Sequence, residues 1–388
     1  MSEPIEMYFN DFIKLNRGFD LPESNIVAGK YPIAASTSIK DYHKDFKVKA
    51  PCVTTGRSGS LGSVLFINQD CWPLNTTLYV KDFKGNNPKY VYYFLQTMKL
   101  ESFNCGAGVP TLNQNHLHKV KVKIHKKDEQ HRIASILYAY DDLIENNNRR
   151  IALLEQMAEQ IYKEWFVRMR FPGYQKTEFE KGVPKGWEVT KVEKAFKYQA
   201  GGTPSREIDA YWKDGDINWF TPTDITGSKG YFLESSSEKC NEFGVSKSSA
   251  KLFPAYSLMM TSRATIGAIG INTKVACTNQ GFITCIPNKK LPLTFLFYWL
   301  KLNKEFFISL STGATFAELT KSAFKRVDII IPDTEVVKNY DDIVKPIFNQ
   351  LQNLQLQIQT LKQTRDLLLP RLISGKLKVN ELKEFELV

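Results

Sequence analysis

Two short stretches carry residue types that can grip a polyanion. Thr54-Thr55-Gly56-Arg57-Ser58-Gly59-Ser60-Leu61-Gly62 and Thr261-Ser262-Arg263-Ala264-Thr265-Ile266-Gly267 each set a hydroxyl residue, an arginine and a glycine between two β-rich runs. Glycine lets backbone N–H groups close on an anion, and an arginine on a stiff turn reaches a phosphate or a guanine edge. The spacing matches neither G-x-G-x-x-G nor the Walker loop with its Lys-Ser/Thr, so nucleotide binding is not expected. A tight strand connection is the plain alternative for both stretches.

Other chemistry-bearing residues do not assemble into a catalytic pattern. Asn87-Pro88-Lys89-Tyr90 approaches the Asn/Asp-Pro-Pro-Tyr/Phe motif of amino-methyltransferases. It lacks the second proline, and no glycine-rich cofactor loop precedes it, so a turn opening a helix accounts for it. His116 and His118 lie two apart with no third ligand in a recognisable pattern. The six cysteines (52, 71, 105, 240, 277 and 285) form no C-x-x-C pair, which favours reduced, structural thiols. With no nucleophile elbow, H-E-x-x-H or paired-acid motif, the sequence argues against an enzyme: neither a catalytic residue nor a metal site is expected.

The elements that must position these residues follow from periodicity. Runs at 48–54, 63–67, 76–80 and 120–124 read as strands separated by Gly, Asn and Pro signals, with an aromatic helix from Tyr90 to Leu95 among them. Runs at 217–220, 258–261, 268–271, 282–286 and 327–331 repeat that plan, with an aromatic helix over 293–302. Each set is followed by a long helix. The first has apolar positions at Leu137, Tyr140, Ile144, Ile151, Leu154, Ala158, Ile161 and Trp165, in alternating steps of three and four that only Asn147 interrupts. Pro172-Gly173 is expected to stop it. The second starts near Glu335 and carries Val344, Ile347, Leu351, Leu354, Ile358, Leu361, Leu368 and Leu372. Pro346 is expected to kink or delay its start, and Pro370 to kink or break it.

The chain therefore says nearly the same thing twice. Cys105-Gly106-Ala107 recurs as Thr312-Gly313-Ala314, Leu112 as Leu319, Leu117 as Phe324 and Val120 as Val327, an offset of 207 residues that holds through the helices. About 40 helical residues span roughly 60 Å. Each apolar stripe is narrow enough for one partner helix to cover, so the two arms are expected to pack antiparallel through Ile144, Ile151, Leu154 and Ile161 against Leu351, Leu354, Ile358 and Leu361. The expected organisation is a first domain over 1–127, a first helix over 128–171, a linker over 172–185, a second domain over 186–332, and a second helix with its tail over 333–388. The fold class is α+β: two β-rich domains with helices, separated by an antiparallel coiled coil and related by a pseudo two-fold internal repeat.

Charge separates the domains from the arms. The 388 residues carry a net +11; residues 1–127 have 17 Lys and Arg against 10 Asp and Glu, a net +7, and residues 186–332 have 18 against 13, a net +5. The helical stretches are close to neutral. Two basic footprints on a neutral frame fit a nucleic acid whose phosphates supply affinity. Mean hydropathy of −0.31 and the lack of an apolar run near 18 residues argue against a membrane span, and no secretory signal is visible at the N-terminus. A cytoplasmic location is expected.

A resemblance then enters. Gly201-Gly202-Thr203-Pro204-Ser205 followed by Tyr211-Trp212-Lys213-Asp214-Gly215-Asp216-Ile217-Asn218-Trp219-Phe220-Thr221-Pro222-Thr223-Asp224-Ile225 resembles the opening of a target-recognition domain in the specificity subunits of Type I restriction-modification systems. Val183-Pro184-Lys185-Gly186-Trp187-Glu188, Ala264-Thr265-Ile266-Gly267 and Thr278-Asn279-Gln280-Gly281-Phe282 agree with it. The most specific marker is Leu368-Leu369-Pro370-Arg371-Leu372-Ile373-Ser374-Gly375-Lys376-Leu377. In the first half, Arg17-Gly18-Phe19-Asp20-Leu21-Pro22 with Gly29-Lys30-Tyr31-Pro32-Ile33 resembles an alternative opening of the same family.

The resemblance implies a DNA-reading subunit without chemistry of its own. Each domain would read one half of a bipartite target in double-stranded DNA, and the arms would fix a spacer of roughly half to one DNA turn. Two adenine-methyltransferase subunits, which bind S-adenosylmethionine, would dock on the arms, and restriction subunits would attach beyond them. No cofactor is expected in this chain. Candidate DNA contacts are Arg57, Ser58 and Asn75 in the first domain, and Thr221, Thr223, Arg263, Asn279, Gln280 and Lys321 in the second. The alternative reading is a coiled-coil scaffold displaying two protein-adaptor domains.

Overall fold

The computed structural model describes residues 4–312 and 317–382. It resolves into two compact units, one of residues 1–146 and 358–388, the other of residues 147–357. Each unit therefore contains a β-rich region and one half of each long helix.

In the first unit, Ile5–Tyr8 pairs antiparallel with Lys121–Ile124, the strand that feeds the first arm. A four-stranded antiparallel sheet runs in the order Lys14–Arg17, Thr77–Asp82, Cys52–Gly56, Val64–Ile67. A second sheet orders Ile39–His43, Tyr31–Ala34 and Trp72–Pro73, the last pair parallel. The helix Pro88–Thr97 packs Tyr90, Tyr93 and Phe94 into the core. It begins at Asn87 because the Asn87 side chain accepts the N–H groups of Lys89 (2.9 Å) and Tyr90 (3.1 Å), with proline at the first helical position. The Asn-Pro-Lys-Tyr stretch is thus a helix cap.

The second unit repeats this order. Glu188–Lys191 pairs antiparallel with Asp328–Ile331. A five-stranded sheet runs Lys197–Ala200, Phe282–Ile286, Leu258–Thr261, Ile269–Asn272, Phe232–Leu233. A three-stranded sheet holds Ile217–Phe220 between Glu238–Cys240 and Ala276–Thr278. The helix Leu293–Leu302, buried from Thr294 to Leu300, replays Pro88–Thr97.

The arms are the helices Lys127–Tyr162 and Thr334–Ile373. In the first unit, Ile133, Ala134 and Leu137 near the start of the first arm share a core with Leu369, Leu372 and Ile373 at the end of the second. In the second unit, Ala158 and Tyr162 near the end of the first share a core with Tyr340, Val344 and Leu351 in the first half of the second. The arms therefore run antiparallel in each. Ile144, Leu351, Leu354 and Ile358 are buried, whereas Ile151, Leu154, Ile161 and Leu361 are half-buried. Asn147, 5% exposed, meets the Gln357 side chain at 3.3 Å. Arg365 pairs with Asp141, which also accepts the Tyr93 hydroxyl at 2.5 Å. His125 Nε2 caps the second arm by donating toward the carbonyls of Leu372 (3.0 Å) and Ile373 (3.1 Å).

Two expectations about the arms need correction. The first arm does not reach Pro172. Its α-helix ends at Tyr162, a π-turn covers Lys163–Val167, and Met169 adopts φ +56°. Within this wider turn the adjacent residues Trp165 and Phe166 are both buried. In the second arm the helix is continuous from Thr334 to Ile373, so Pro346 does not delay its start and Pro370 does not break it. Both prolines, and Asp342 and Asp366 one turn earlier, are exposed, a setting in which solvent can reach the carbonyl that each proline leaves without a donor.

Candidate nucleic-acid interface

In each unit, the ends of three strands and the loop before the closing strand meet, and the backbone connections there are the same. Phe19 N–H donates to Pro73 O at 2.8 Å, and Gly202 N–H to Thr278 O at 2.8 Å. Arg57 N–H donates to Thr76 O at 2.8 Å, and Ser262 N–H to Gly281 O at 2.8 Å. Leu112 N–H donates to Arg57 O at 2.8 Å, and Leu319 N–H to Ser262 O at 2.9 Å. Isolated bridges join Ser58 to Thr111 and Arg263 to Glu318.

These connections match Phe19 with Gly202, Thr76 with Gly281 and Leu112 with Leu319. They also change one correspondence. Arg57 occupies the backbone place of Ser262, and Ser58 that of Arg263. The arginines of the two loops are offset by one residue, so they leave the backbone in different directions.

Glycine is required at one matched pair of positions. A Cβ on Gly18 would lie 2.2 Å from Leu74 O and 2.6 Å from Pro73 O; a Cβ on Gly201 would lie 2.1 Å from Asn279 O and 2.3 Å from Thr278 O. No side chain fits where backbone approaches that closely. The Arg17-Gly18-Phe19-Asp20 and Ala200-Gly201-Gly202-Thr203 stretches are the same turn, each laid across the end of a strand.

The side chains in the first unit are partly committed to one another. Arg57 Nη1 donates to Asn75 O at 3.2 Å. The Asn75 amide donates to Asp20 Oδ1, and Arg17 stands 3.6 Å from the same carboxylate. Ser36 Oγ bridges the turn by donating to Thr76 O (3.0 Å) and Ser58 O (3.2 Å). Arg57, Ser58 and Asn75 thus come together, half-buried, at one end of the four-stranded sheet. Gly59 (φ +83°) and Gly62 (φ +88°) supply left-handed turns in the connection that follows, while Gly56 backs onto Ser60 O. That is the tight connection foreseen as the plain alternative.

In the second unit, Thr221 caps the short helix Pro222–Thr226 and gives both its N–H (2.7 Å) and its hydroxyl (2.8 Å) to Asp224. Burial pushes the Asp224 carboxyl up, but donors from Thr221 and Ser237 outweigh it and hold it below the ordinary value. Thr223 is exposed on the first turn. Asn279 turns its carbonyl onto Gly281 N–H at 2.9 Å, and Gln280 accepts the Thr203 hydroxyl at 2.7 Å. Arg263, half-exposed, is steadied by Glu318 at 2.9 Å. Lys321 is exposed at the start of the short helix Lys321–Phe324, two residues beyond Leu319. The loop of Arg263 is tied to the Asn279–Gly281 strand end by Ser262 N–H on Gly281 O, while Thr223 and Lys321 are exposed on the short helices nearby in sequence; Thr221 and Asn279 direct their side-chain oxygens into the turns themselves. The residues Gly313 and Ala314, which marked the repeat, lie outside the described residues.

Sequence reasoning missed Asp20, Thr203 and Glu318, the partners that fix Asn75, Gln280 and Arg263. Their signal was the pair of glycine turns, which only spatial equivalence reveals. His118 accepts Leu15 N–H at 3.1 Å, and burial pushes its imidazole below the ordinary value. Among the described residues no group of His, Cys, Asp and Glu could hold a metal ion, and no helix is long and apolar enough to cross a membrane.

Comparison with known proteins places this geometry. The family model described as the Type I restriction modification DNA specificity domain matches residues 6–156 and again 184–363, once per repeat. The MjaIX specificity subunit of a Type I restriction enzyme of Methanocaldococcus jannaschii is 30% identical over 310 residues, 76% of this chain and 70% of that protein. The HindI specificity subunit from Haemophilus influenzae is 22% identical over 388 residues, covering 81% and 84%. The crystal structure of the S subunit of a Type I restriction-modification system from M. genitalium shares the fold with a TM-score of 0.67 at 16% identity, over 95% of this chain and 96% of that one.

Proposed function

This chain belongs to the Type I restriction-modification DNA specificity family, and we propose that it reads a bipartite duplex target, one half through each unit, on behalf of partner methyltransferase subunits. The observation that carries this reading is the duplicated patch. Two equivalent backbone frames hold different side chains, which is what recognition of two different half-sequences by one kind of domain requires. Arg57, Ser58 and Asn75 face one half; Thr223, Arg263, Gln280 and Lys321 face the other, with Thr221 and Asn279 shaping the turn. Arginine suits guanine, the amides suit adenine, and lysine holds phosphate as a point charge.

The antiparallel arms act as the spacer. Their near-neutral surface suits protein partners: two adenine-methyltransferase subunits carrying S-adenosylmethionine, with restriction subunits beyond them. The chain itself binds no cofactor and catalyses nothing in this reading, and it works in the cytoplasm. Family membership favours DNA reading over the protein-adaptor scaffold.

The test is modified-base sequencing of genomic DNA from cells that carry the partner methyltransferase, with and without this gene. A bipartite methyl-adenine motif that appears only with the gene is the expected result. An unchanged methylome would overturn the proposal. In the assembled complex, duplex affinity should fall steeply with salt, because each neutralised phosphate releases condensed counterions.

A further inference from the structure

Inside the duplicated frame, one side-chain pair occurs twice. The turn residue two beyond the obligatory glycine meets the residue just before the matched strand-end position: Asp20 with Asn75 in the first unit, Thr203 with Gln280 in the second. The match is fixed by backbone alone. Gly18 and Gly201 press on equivalent carbonyls, and Asn75 and Gln280 each immediately precede the residue, Thr76 or Gly281, whose carbonyl accepts from the arginine-bearing loop. Both positions carry a carboxamide, although the flanking residues differ completely.

We infer that Asn75 and Gln280 each read one A·T base pair of their own half-target, with Asp20 and Thr203 as positioning residues; this rests on the DNA-reading function proposed above. A carboxamide offers a donor and an acceptor side by side, the complement of the N7 and N6 edge of adenine. In Asn75, one N–H is spent on Asp20, leaving the second N–H and the carbonyl for a base. In Gln280, the carbonyl oxygen accepts from Thr203 and keeps its second lone pair beside the free donors of its own amide. Both pairs reach solvent: Gln280 and Asp20 are exposed, Asn75 and Thr203 half-buried. The neighbour holds each amide in one rotamer before DNA arrives, which lowers the ordering cost of binding. Asp20 and Thr203 differ in charge, so the two readers sit in different fields while using the same hydrogen-bond code.

The experiment uses the full chain assembled with its methyltransferase, the wild-type motif defined by modified-base sequencing, and duplexes in which each base pair of that motif is permuted. Gln280→Ala should lose about five- to 150-fold of the discrimination at one A·T position of one half-site, and Asn75→Ala the same in the other half. Gln280→Glu, which turns a donor–acceptor edge into acceptors only, should move the preference at that position toward cytosine, whose N4 is a donor. Thr203→Val should broaden the same position, and Thr203→Ser should retain it, a difference that mere packing would not produce. Unchanged discrimination at every position in both alanine variants would overturn the inference while leaving the DNA-reading function intact. Absence of any wild-type motif would instead remove the function on which it rests.

Discussion

Replacing Gly201 with alanine tests the strand-end frame directly. The new methyl would lie 2.1 Å from Asn279 O, 2.3 Å from Thr278 O and 2.3 Å from Thr278 Oγ1. The two carbonyls cannot yield by rotating a side chain. Thr278 O is held by Gly202 N–H at 2.8 Å, and Asn279 N–H is held by Phe220 O at 3.0 Å. The strand end and the turn must therefore separate by about 1 Å, since close-packed interiors leave no slack. That opening removes the Gly202–Thr278 bond. Overpacking costs about 1–3 kcal/mol and the lost bond about 1 kcal/mol more. For a unit of some 200 residues, these sum to a fall of roughly 5–15 °C in its melting transition. The same movement draws Thr203 away from Gln280, so discrimination in one half-site should weaken while the other is unaffected. Calorimetry of the full chain reads the first effect, and binding to permuted duplexes the second. Gly108→Ala is the control, because nothing lies within 4 Å of its Cβ and its φ is ordinary; its melting should match wild type. Equal melting of Gly201→Ala and Gly108→Ala would refute the argument that backbone contact makes glycine obligatory.

Further outcomes follow from other contacts. Arg365→Ala strips the Asp141 carboxylate, about one-fifth exposed, of its cation while Tyr93 still donates to it; a loss of about 2 kcal/mol is expected, between the costs for exposed and buried pairs, and Asp141→Asn in the same background should recover part of it in a thermal double-mutant cycle. Asn147→Leu should raise the melting temperature, because an apolar side chain replaces the only polar one in that stripe of the first arm; an unchanged or lowered value would show that the Gln357 contact outweighs its desolvation. Asp224→Asn should destabilise by about 1 kcal/mol at pH 7 through the capping box. The folded Asp224 carboxyl sits below its ordinary value, so its contribution is complete above about pH 5 and is lost as pH falls through the folded value. Urea titrations of the two proteins should therefore converge in acid, and a gap independent of pH would contradict the assignment. Lys321→Ala should weaken duplex binding by a similar factor for every sequence and flatten the log–log salt slope by about 0.9, the share of one phosphate; a change confined to one base pair would make Lys321 a base reader instead.

The linear sequence determined the elements whose cause is local. Ile217–Phe220 and Phe282–Ile286 were legible as strands because β-branched and aromatic residues are bounded there by turn residues, and Leu293–Leu302 as a helix because its apolar run is too long for a strand. The apolar stripes of the arms were legible for the same reason, since a period near 3.6 is a property of one chain segment. The end of the first arm was not, because the π-turn at Lys163–Val167 depends on a core that buries Trp165 and Phe166 together. The uninterrupted passage of Pro346 and Pro370 depended likewise on which side of the helix faces water.

The candidate interface shows the same division more sharply. Arg57, Asn75, Arg263 and Gln280 were nameable from residue type and position near a strand end. That Arg57 stands where Ser262 does, and that Asp20 and Thr203 hold the two amides, could be decided only by hydrogen bonds between segments 19 to 77 residues apart. Between Gly18 and Arg57 the first unit has 22 fewer residues than the second has between Gly201 and Ser262, so no fixed offset could align the two turns. Backbone pairing across strands is insensitive to the length of the loops that join them. The fold therefore preserved an equivalence that the linear repeat had lost.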